Sequence, residues 1–209
     1  MALYLGNEKV KIHLNNPPFY DADEILDNSF SGVYVSNELT SLKEKAFEDM
    51  QNIISISLPN CTILEGGRIF RDTPKLTNIY LPNLTTIVYG QETFTRSKIT
   101  EMDLPNLTTV TNFSTMFYIV SYVKKINLPK LSGITISTAA FAGCQRLKTL
   151  ILGGDELNPL EDIKAFYQTP IENGTGYVYV PDELVDTYKT ATNWSVFADQ
   201  IKPISELEE

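Results

Sequence analysis

A Leu-Pro dipeptide recurs through the middle of the chain at an almost constant interval. The prolines are Pro59, Pro82, Pro105 and Pro129, so the successive intervals are 23, 23 and 24 residues. Three copies continue as the close variants LPNLTTI, LPNLTTV and LPKLSGI. A fixed period of this length is the signature of a repeat protein, in which stacked units bury the apolar face that one unit alone cannot cover.

The residues before each proline alternate between apolar and polar. Ahead of Pro82, for example, apolar residues stand one, three and six positions earlier, at Leu81, Ile79 and Leu76. Alternation with period two is typical of a strand with one buried face, and a proline ends such a strand because it lacks the backbone donor. The pattern continues, with losses, over residues 36–181, so the sequence predicts about seven strand positions.

Each repeat continues past the proline with a second apolar pattern. Apolar residues stand two and five positions after the proline, and an aromatic residue stands twelve positions after it at Phe94, Phe117 and Phe141. Each unit is therefore predicted to contain a strand, a turn, a second extended piece and a short return anchored by phenylalanine. Stacked units of this kind form a solenoid. The predicted fold is a β-rich α/β solenoid of about six to seven units of 23–24 residues.

One repeat carries a recognisable family pattern. Residues 140–152, AFAGCQRLKTLIL, resemble the BspA-type leucine-rich repeat, AFxxCxxLxxIxLP. The other units match it less fully, because they lack the Ala-Phe and Cys positions. The resemblance covers roughly residues 30–181, and the tail from Val178 is similar to the end segment of such bacterial proteins. It implies a leucine-rich repeat fold and a non-enzymatic role, mostly in adhesion or at the bacterial surface, with some short members associated with phages.

The two ends of the chain depart from the repeat. Residues 1–29 are interpreted as an N-terminal cap or attachment element, with two strands around a Gly6-Asn7 turn and a short helix or loop at 21–27. Residues 30–181 form the repeat array. Residues 182–209 are predicted to be a helical C-terminal cap that covers the open end of the array.

The predicted C-terminal cap contains two helices. The first starts at Asp182, which is a suitable N-cap residue. The second starts near Asn193 and ends at Pro203, and it carries Trp194 as a cap anchor rather than a ligand platform.

Composition excludes several classes of function. The net charge of −9 and the isoelectric point of about 4.7 argue against a nucleic-acid-binding protein. The single histidine, His13, lies outside the array, and with only two cysteines the chain cannot build zinc sites from Cys/His clusters. The acidic stretch at 21–27 lacks the glycine and distal glutamate of an EF-hand loop. The chain is thus predicted to be no enzyme and to bind no metal, cofactor or nucleic acid.

Membrane and export signals are missing from the sequence pattern. No stretch reaches 18 consecutive apolar residues, so no membrane insertion is predicted. The first 20 residues lack the basic start and apolar core of a signal peptide, which fits delivery on a phage particle or a trimmed leader. Compartment and oligomeric state are left open.

The two cysteines occupy different positions of the repeat, both predicted to face the core. Cys61 stands two residues after Pro59, in the position that Leu84 fills in the next repeat. Cys144 fills the cysteine position of the family pattern. Three repeats separate the two residues, which is roughly 14 Å at the spacing of parallel strands, and a disulfide needs Cα atoms within about 7 Å. Both are predicted to be buried free thiols.

Charge is unevenly distributed along the chain. Residues 1–60 carry a net charge of −5, residues 61–154 a net charge of +5, and residues 155–209 a net charge of −9. One interpretation is a solvated surface between solubilising ends. The other is a basic face that meets an acidic partner such as an anionic glycan or a cell-wall polymer.

Candidate binding residues are those two and four positions before each proline, since these should point out of the strand face. Tyrosine is favoured at binding surfaces because it offers a large contact area and a polar tip at low entropic cost. The alternative is that these side chains only pack across neighbouring strands. The candidates are Tyr34, Asn78, Tyr80, Glu101, Asp103, Lys125, Asn127, Tyr177 and Tyr179.

Two functions from different classes follow from this pattern. The first is a recognition module that binds a protein or a glycan at a bacterial cell surface, in adhesion or phage attachment. The second is a structural or spacer component of a particle or surface assembly, with no specific ligand. A broad patch of exposed tyrosines would favour the first, and a large symmetric interface made by residues 1–29 would favour the second.

Overall fold

The structure is a computed structural model that describes residues 3–5, 8–10 and 30–207. The strands predicted around Gly6-Asn7 are present and pair antiparallel. The helix or loop predicted at 21–27, with its acidic side chains, and His13 lie outside the described residues. In chain order the strands are β1 (Leu3–Leu5), β2 (Glu8–Val10), β3 (Ser31–Val35), β4 (Ser41–Leu42), β5 (Asn52–Ser57), β6 (Ile63–Leu64), β7 (Asn78–Tyr80), β8 (Thr86–Ile87), β9 (Glu101–Asp103), β10 (Thr109–Val110), β11 (Lys125–Leu128), β12 (Thr149–Leu152), β13 (Tyr177–Val180) and β14 (Ile201–Pro203).

The predicted strands pair in parallel with their equivalents in the adjacent repeats. Ile126 of β11 lies opposite Met102 of β9 and opposite Leu150 of β12, so neighbouring partners are 24 residues apart in sequence. The resulting sheets have the orders β3-β5-β7 and β9-β11-β12-β13-β14. The short strands after Pro59, Pro82 and Pro105, together with β4, form a second parallel wall, in the order β10-β8-β6-β4. The predicted β-rich repeat fold is confirmed.

The leucines that end the long strands form a buried column, with Leu81, Leu104, Leu128 and Leu152 all at most 1% exposed. The residues two positions before them, predicted to form a second buried column, are also buried, except that Ile79 is only partly buried. This second column consists of Ile79, Met102, Ile126 and Leu150. Ile79 lies on β7 at the end of the three-stranded sheet, because no ladder joins β7 to β9. A single backbone hydrogen bond, from Thr100 N to Thr77 O at 3.3 Å, links the chain just before these two strands.

Stacked phenylalanines form the centre of the core. Consecutive ring centroids lie 5.1–5.6 Å apart, and the ring planes deviate by at most 16°. Tyr34 adjoins one end of the column at 5.3 Å, and Trp194 adjoins the other at 5.6 Å. The column consists of Phe47, Phe70, Phe94, Phe117, Phe141 and Phe166.

Asparagines that follow the Leu-Pro prolines link adjacent repeats. Asn83 donates from Nδ2 to the backbone oxygen of Pro59 at 2.8 Å, and Asn106 does the same to Pro82 at 2.8 Å. These bonds satisfy carbonyl groups at the turns, where the backbone has left the strand ladder. The recurring asparagine therefore has a structural role in the repeat.

The C-terminal segment differs from its prediction. A 3-10 helix at Asp182–Leu184 leads into helix α1 (Val185–Thr190), and a second 3-10 helix spans Trp194–Gln200. Asp182 is no N-cap, since it lies inside the first 3-10 helix and its carboxylate accepts a hydrogen bond from Ser205 N at 3.2 Å.

Pro203 also has a different role from the one predicted. It ends no helix but lies in β14, because the buried Ile201 pairs with Val178 and extends the sheet by one strand.

Asn158 joins the last repeats to the C-terminal segment. This side chain is fully buried. Its Oδ1 accepts from the backbone N–H of Ile134 at 2.9 Å, and its Nδ2 donates to Leu131 O at 3.0 Å and to the Tyr188 hydroxyl at 3.1 Å. Its backbone oxygen accepts from Trp194 Nε1 at 2.8 Å. One polar residue thus satisfies groups from the last repeats and from the C-terminal segment.

Both cysteines are free and buried, as predicted. Burial raises the pKa of the Cys61 thiol to about 11 and that of the Cys144 thiol to about 12. Since only the thiolate is nucleophilic, we expect the native protein to react slowly with a thiol reagent at pH 8 and the unfolded protein to react at once. Mass spectrometry during labelling checks this. Fast modification of native protein, or an internal disulfide, would contradict the register.

The same pKa shifts determine how the stability of the fold changes at alkaline pH. An unfolded cysteine ionises near pH 8.5, so the folded thiols have the higher pKa. The stability they contribute is complete below about pH 8.5 and is lost as the pH rises toward about 11 and about 12.

Candidate recognition surface

The exposed face of the long strands is built by the same alternation that buries the leucines. In β9 the side chain of Met102 points into the core, whereas Glu101 and Asp103 are exposed on either side of it. Strand pairing places equivalent outward residues side by side, about 4.8 Å apart. A continuous row of outward side chains therefore crosses each sheet, and we call this surface the strand face.

Eight of the nine candidate residues lie on the strand face, in two groups. Asn78 and Tyr80 are on β7, in the first sheet, and Tyr80 has 57% of its side chain exposed. The other six follow in register on the second sheet, on β9, β11 and β13. These six are Glu101, Asp103, Lys125, Asn127, Tyr177 and Tyr179.

The β9 end of the second sheet carries mixed charge. Lys125 lies directly opposite Glu101, and Asn127 lies opposite Asp103. The Asn127 Nδ2 donates to Asp103 Oδ1 at 2.8 Å. This bond orients the amide and leaves the second carboxylate oxygen of Asp103 available to another donor. The surface can therefore both donate and accept hydrogen bonds.

Two tyrosines and a lysine form the other end of the strand face. The rings of Tyr177 and Tyr179 meet edge to face at 6.4 Å. Lys202 on β14 places Nζ 5.9 Å from the centroid of the Tyr177 ring. The sequence analysis missed Lys202, because the repeat pattern ends before β14. The strand signal is weak there, since Ile201 stands two residues before Pro203, whereas the repeat has apolar residues one and three before its proline.

The expected exposure of Tyr34 is wrong. Tyr34 is 1% exposed and packs against Phe47. A register shift between Gly32 and Val33 places Tyr34 opposite Ile56, so its side chain turns into the core. The alternation within β3 is unbroken, so Val33 and Val35, on either side of Tyr34, are partly exposed instead of buried.

Paired charges cluster on the returns, away from the strand face. Arg71 donates from Nη1 to Glu92 Oε2 at 2.7 Å, and Arg96 donates from Nη2 to Asp72 Oδ2 at 2.7 Å. The hydrogen bond from Arg96 is the main cause that holds the pKa of Asp72 below its usual value. These charges satisfy one another and tie neighbouring repeats together.

Other chemistry can be assessed for the part of the chain that the structure describes. It holds no group of three or more His, Cys, Asp or Glu side chains arranged to bind a metal ion. None of its helices has the length and apolar character needed to cross a bilayer.

The repeat spacing and the buried columns agree with a family comparison. The profile of the BspA type leucine rich repeat region matches six copies, over residues 24–148 and 111–175. The chain belongs to the BspA-type leucine-rich repeat family. Repeats of this type are typical of non-enzymatic protein-interaction modules. No match is found among curated proteins.

A groove of about 250 Å³ lies on the return side of this BspA-type array. Tyr118 and Tyr167 belong to repeats on either side of the one that carries Ala142, as the backbone bonds Ile119 N to Ala142 O and Gly143 N to Tyr167 O show, both at 2.8 Å. The small Ala142 side chain leaves the space that a larger residue would fill. Sequence periodicity did not indicate this groove, because the groove arises where one repeat has a small residue, Ala142, in place of a larger one.

Proposed function

We propose that this protein is a non-enzymatic recognition module whose strand face binds a partner at a bacterial cell surface or from a phage particle. The observation that carries the proposal is the set of exposed and partly exposed aromatic, amide and charged side chains on β7, β9, β11 and β13. A partly exposed tyrosine such as Tyr80 offers a large contact area with a polar tip. Asp103 and Lys125 add charges of both signs, which select a partner by complementarity.

The architecture supports this proposal. We propose that residues 30–181 wind as a solenoid and that residues 182–209 close its C-terminal end, with Trp194 as the anchor. Residues 1–29 would serve as the N-terminal cap or attachment element. A solenoid presents one extended surface whose length scales with the number of repeats. Function then resides in the exposed strand positions, while the buried columns fix their spacing.

A partner protein is the preferred ligand of the strand face. The family is typical of protein-interaction modules, and mixed charge around tyrosines is common at protein interfaces. A surface glycan is the alternative ligand. The proposed contact residues are Asn78, Tyr80, Glu101, Asp103, Lys125, Asn127, Tyr177 and Tyr179.

The double variant Asn78→Ala/Tyr80→Ala tests the strand face. We expect it to bind bacterial cells about tenfold or more weakly than the wild type, because a buried interface tyrosine contributes about 2 kcal/mol or more. Its melting temperature should change little, since both side chains are exposed. Flow cytometry of a panel of bacterial cells with fluorescent protein measures the binding. Protease treatment of the cells should abolish it if the partner is a protein.

A matched control uses Tyr89→Ala/Gln91→Ala. Tyr89 is also exposed, at 45%, but lies on the turn after β8, where its hydroxyl donates to Gln91 Oε1 at 2.6 Å. This control should bind like the wild type. An equal loss of binding in both variants would show that the binding site lies outside the strand face. A wild type that binds no cell but self-associates through a large interface in ultracentrifugation would favour the structural or spacer function.

A further inference from the structure

Unpaired cations line the turns that lead into the strand face. Lys75, Lys98 and Arg146 stand three residues before β7, β9 and β12, and Lys124 and Lys148 stand one residue before β11 and β12. All five are exposed. We call this surface the basic edge, and it is distinct from the strand face beside it.

The repeat stacks these cations in rows. Backbone bonds run from Lys148 N to Lys124 O at 3.0 Å and from Lys124 N to Thr100 O at 2.8 Å. Successive repeats therefore place equivalent residues about one strand spacing, roughly 4.8 Å, apart. The position that Lys98 and Arg146 occupy in their repeats is filled by Tyr122 in the repeat between them.

Tyr122 organises the middle of the basic edge. The Arg146 guanidinium carbon lies 4.8 Å from the centroid of its ring, and the Lys98 Nζ lies 5.5 Å from it. Such cation–π contacts hold the two cations beside a ring that is itself 40% exposed. The edge thus combines positioned charge with exposed aromatic surface.

The cations of the basic edge lack acidic partners, unlike the other charges of the array. Ion pairs within the described residues involve Lys43, Arg68, Arg71, Arg96 and Lys202, and none involves a cation of the basic edge. The closest polar contact is neutral, from Lys75 Nζ to Asn52 Oδ1 at 2.8 Å. The carboxylates nearest in sequence are Asp72, which is paired with Arg96, and Glu101, which lies on the strand face opposite Lys125. Like charges held so close together repel one another until an anion neutralises them.

We infer that the basic edge binds a linear acidic polysaccharide that runs along the row of repeats. A chain with one anionic group on each sugar ring carries a charge on every unit, so it can meet several cations of the basic edge at once. The exposed ring of Tyr122 also offers the apolar face that a pyranose ring can cover. The inference concerns a surface other than the strand face and stands independently of the proposed function.

Fluorescein-labelled oligogalacturonate tests the inference, with polyglutamate of equal charge and neutral dextran as comparison probes. The wild type should bind oligogalacturonate more tightly than polyglutamate, and added salt should weaken this binding. The double variant Lys124→Glu/Lys148→Glu should bind it about tenfold or more weakly, because two attractions become repulsions. Fluorescence polarisation measures each affinity, and thermal melting checks that the variant is folded.

The matched control is Lys130→Glu/Lys164→Glu, which changes the net charge equally at exposed lysines away from the basic edge. It should retain wild-type affinity within about threefold. A second variant, Lys98→Ala/Arg146→Ala, should also weaken binding, whereas Asn78→Ala/Tyr80→Ala should not. Equal weakening by the control, tighter binding of polyglutamate, or no binding of oligogalacturonate by the wild type would each overturn the inference.

Discussion

Replacing Phe117 with alanine is expected to lower the free energy of unfolding by about 3–5 kcal/mol. The Phe117 ring is fully buried and stacks between Phe94 at 5.1 Å and Phe141 at 5.6 Å. Truncation leaves a cavity in the middle of the phenylalanine column, and the neighbouring repeats cannot collapse into it because their backbones are fixed by parallel ladders. Urea denaturation followed by circular dichroism measures the change.

Two further variants make this prediction specific. Phe117→Leu should cost clearly less than Phe117→Ala, since it refills most of the cavity. Tyr89→Ala removes an aromatic ring of similar size from the surface and should change stability by no more than about 0.5 kcal/mol. If Phe117→Ala were as stable as Tyr89→Ala, the column would not be the core of the array.

The variant Asn158→Leu is expected to lose about 2–5 kcal/mol, although leucine is apolar and similar in size. The substitution leaves the backbone N–H of Ile134 and the backbone oxygen of Leu131 without partners in a buried site. Each unsatisfied buried group costs about 1–3 kcal/mol. The stability should be lost mainly at the junction with the C-terminal segment. Limited proteolysis should therefore release that segment before the rest of the chain is cut.

Tyr188→Phe is a milder change at the same junction and serves as the comparison for Asn158→Leu. It removes only the hydroxyl that accepts hydrogen bonds from Asn158 N at 2.9 Å and Nδ2 at 3.1 Å, so its cost should be smaller than that of Asn158→Leu. Urea denaturation measures both variants. An Asn158→Leu protein as stable and as protease-resistant as the wild type would show that the junction does not depend on this side chain.

Periodicity predicted the parts of the fold that repeat without interruption. Leu104 and Leu128 lie where the alternation before proline places them, because a constant interval keeps every strand in the same register. The prediction for Tyr34 is wrong because β3 is out of step with this interval. Tyr34 pairs with the buried Ile56 at 22 residues, whereas an interval of 23 would have paired it with Ser57. A fixed interval cannot represent such a change of register.

Features that depend on contacts between distant segments could not be read from the repeat. Asn158 bonds to Tyr188, 30 residues away, across the end of the array, and no periodic signal links the two. The basic edge was partly visible as the positive charge of residues 61–154. Only the structure separated the unpaired lysines from the arginines that carboxylates already neutralise.

The missing ladder between β7 and β9 gives the array one line of mechanical weakness. On the opposite wall β8 still pairs with β10, and the stacking of Phe94 on Phe117 continues across the same boundary. Under a bending load, the array would therefore open first between β7 and β9, and its two halves would pivot about the intact pairing of β8 with β10. Tyr80 on β7 and Asp103 on β9 lie on the two sides of this gap in the pairing, so bending changes the distance between the two halves of the strand face. Tension transmitted along the protein would then alter the shape that a bound partner meets.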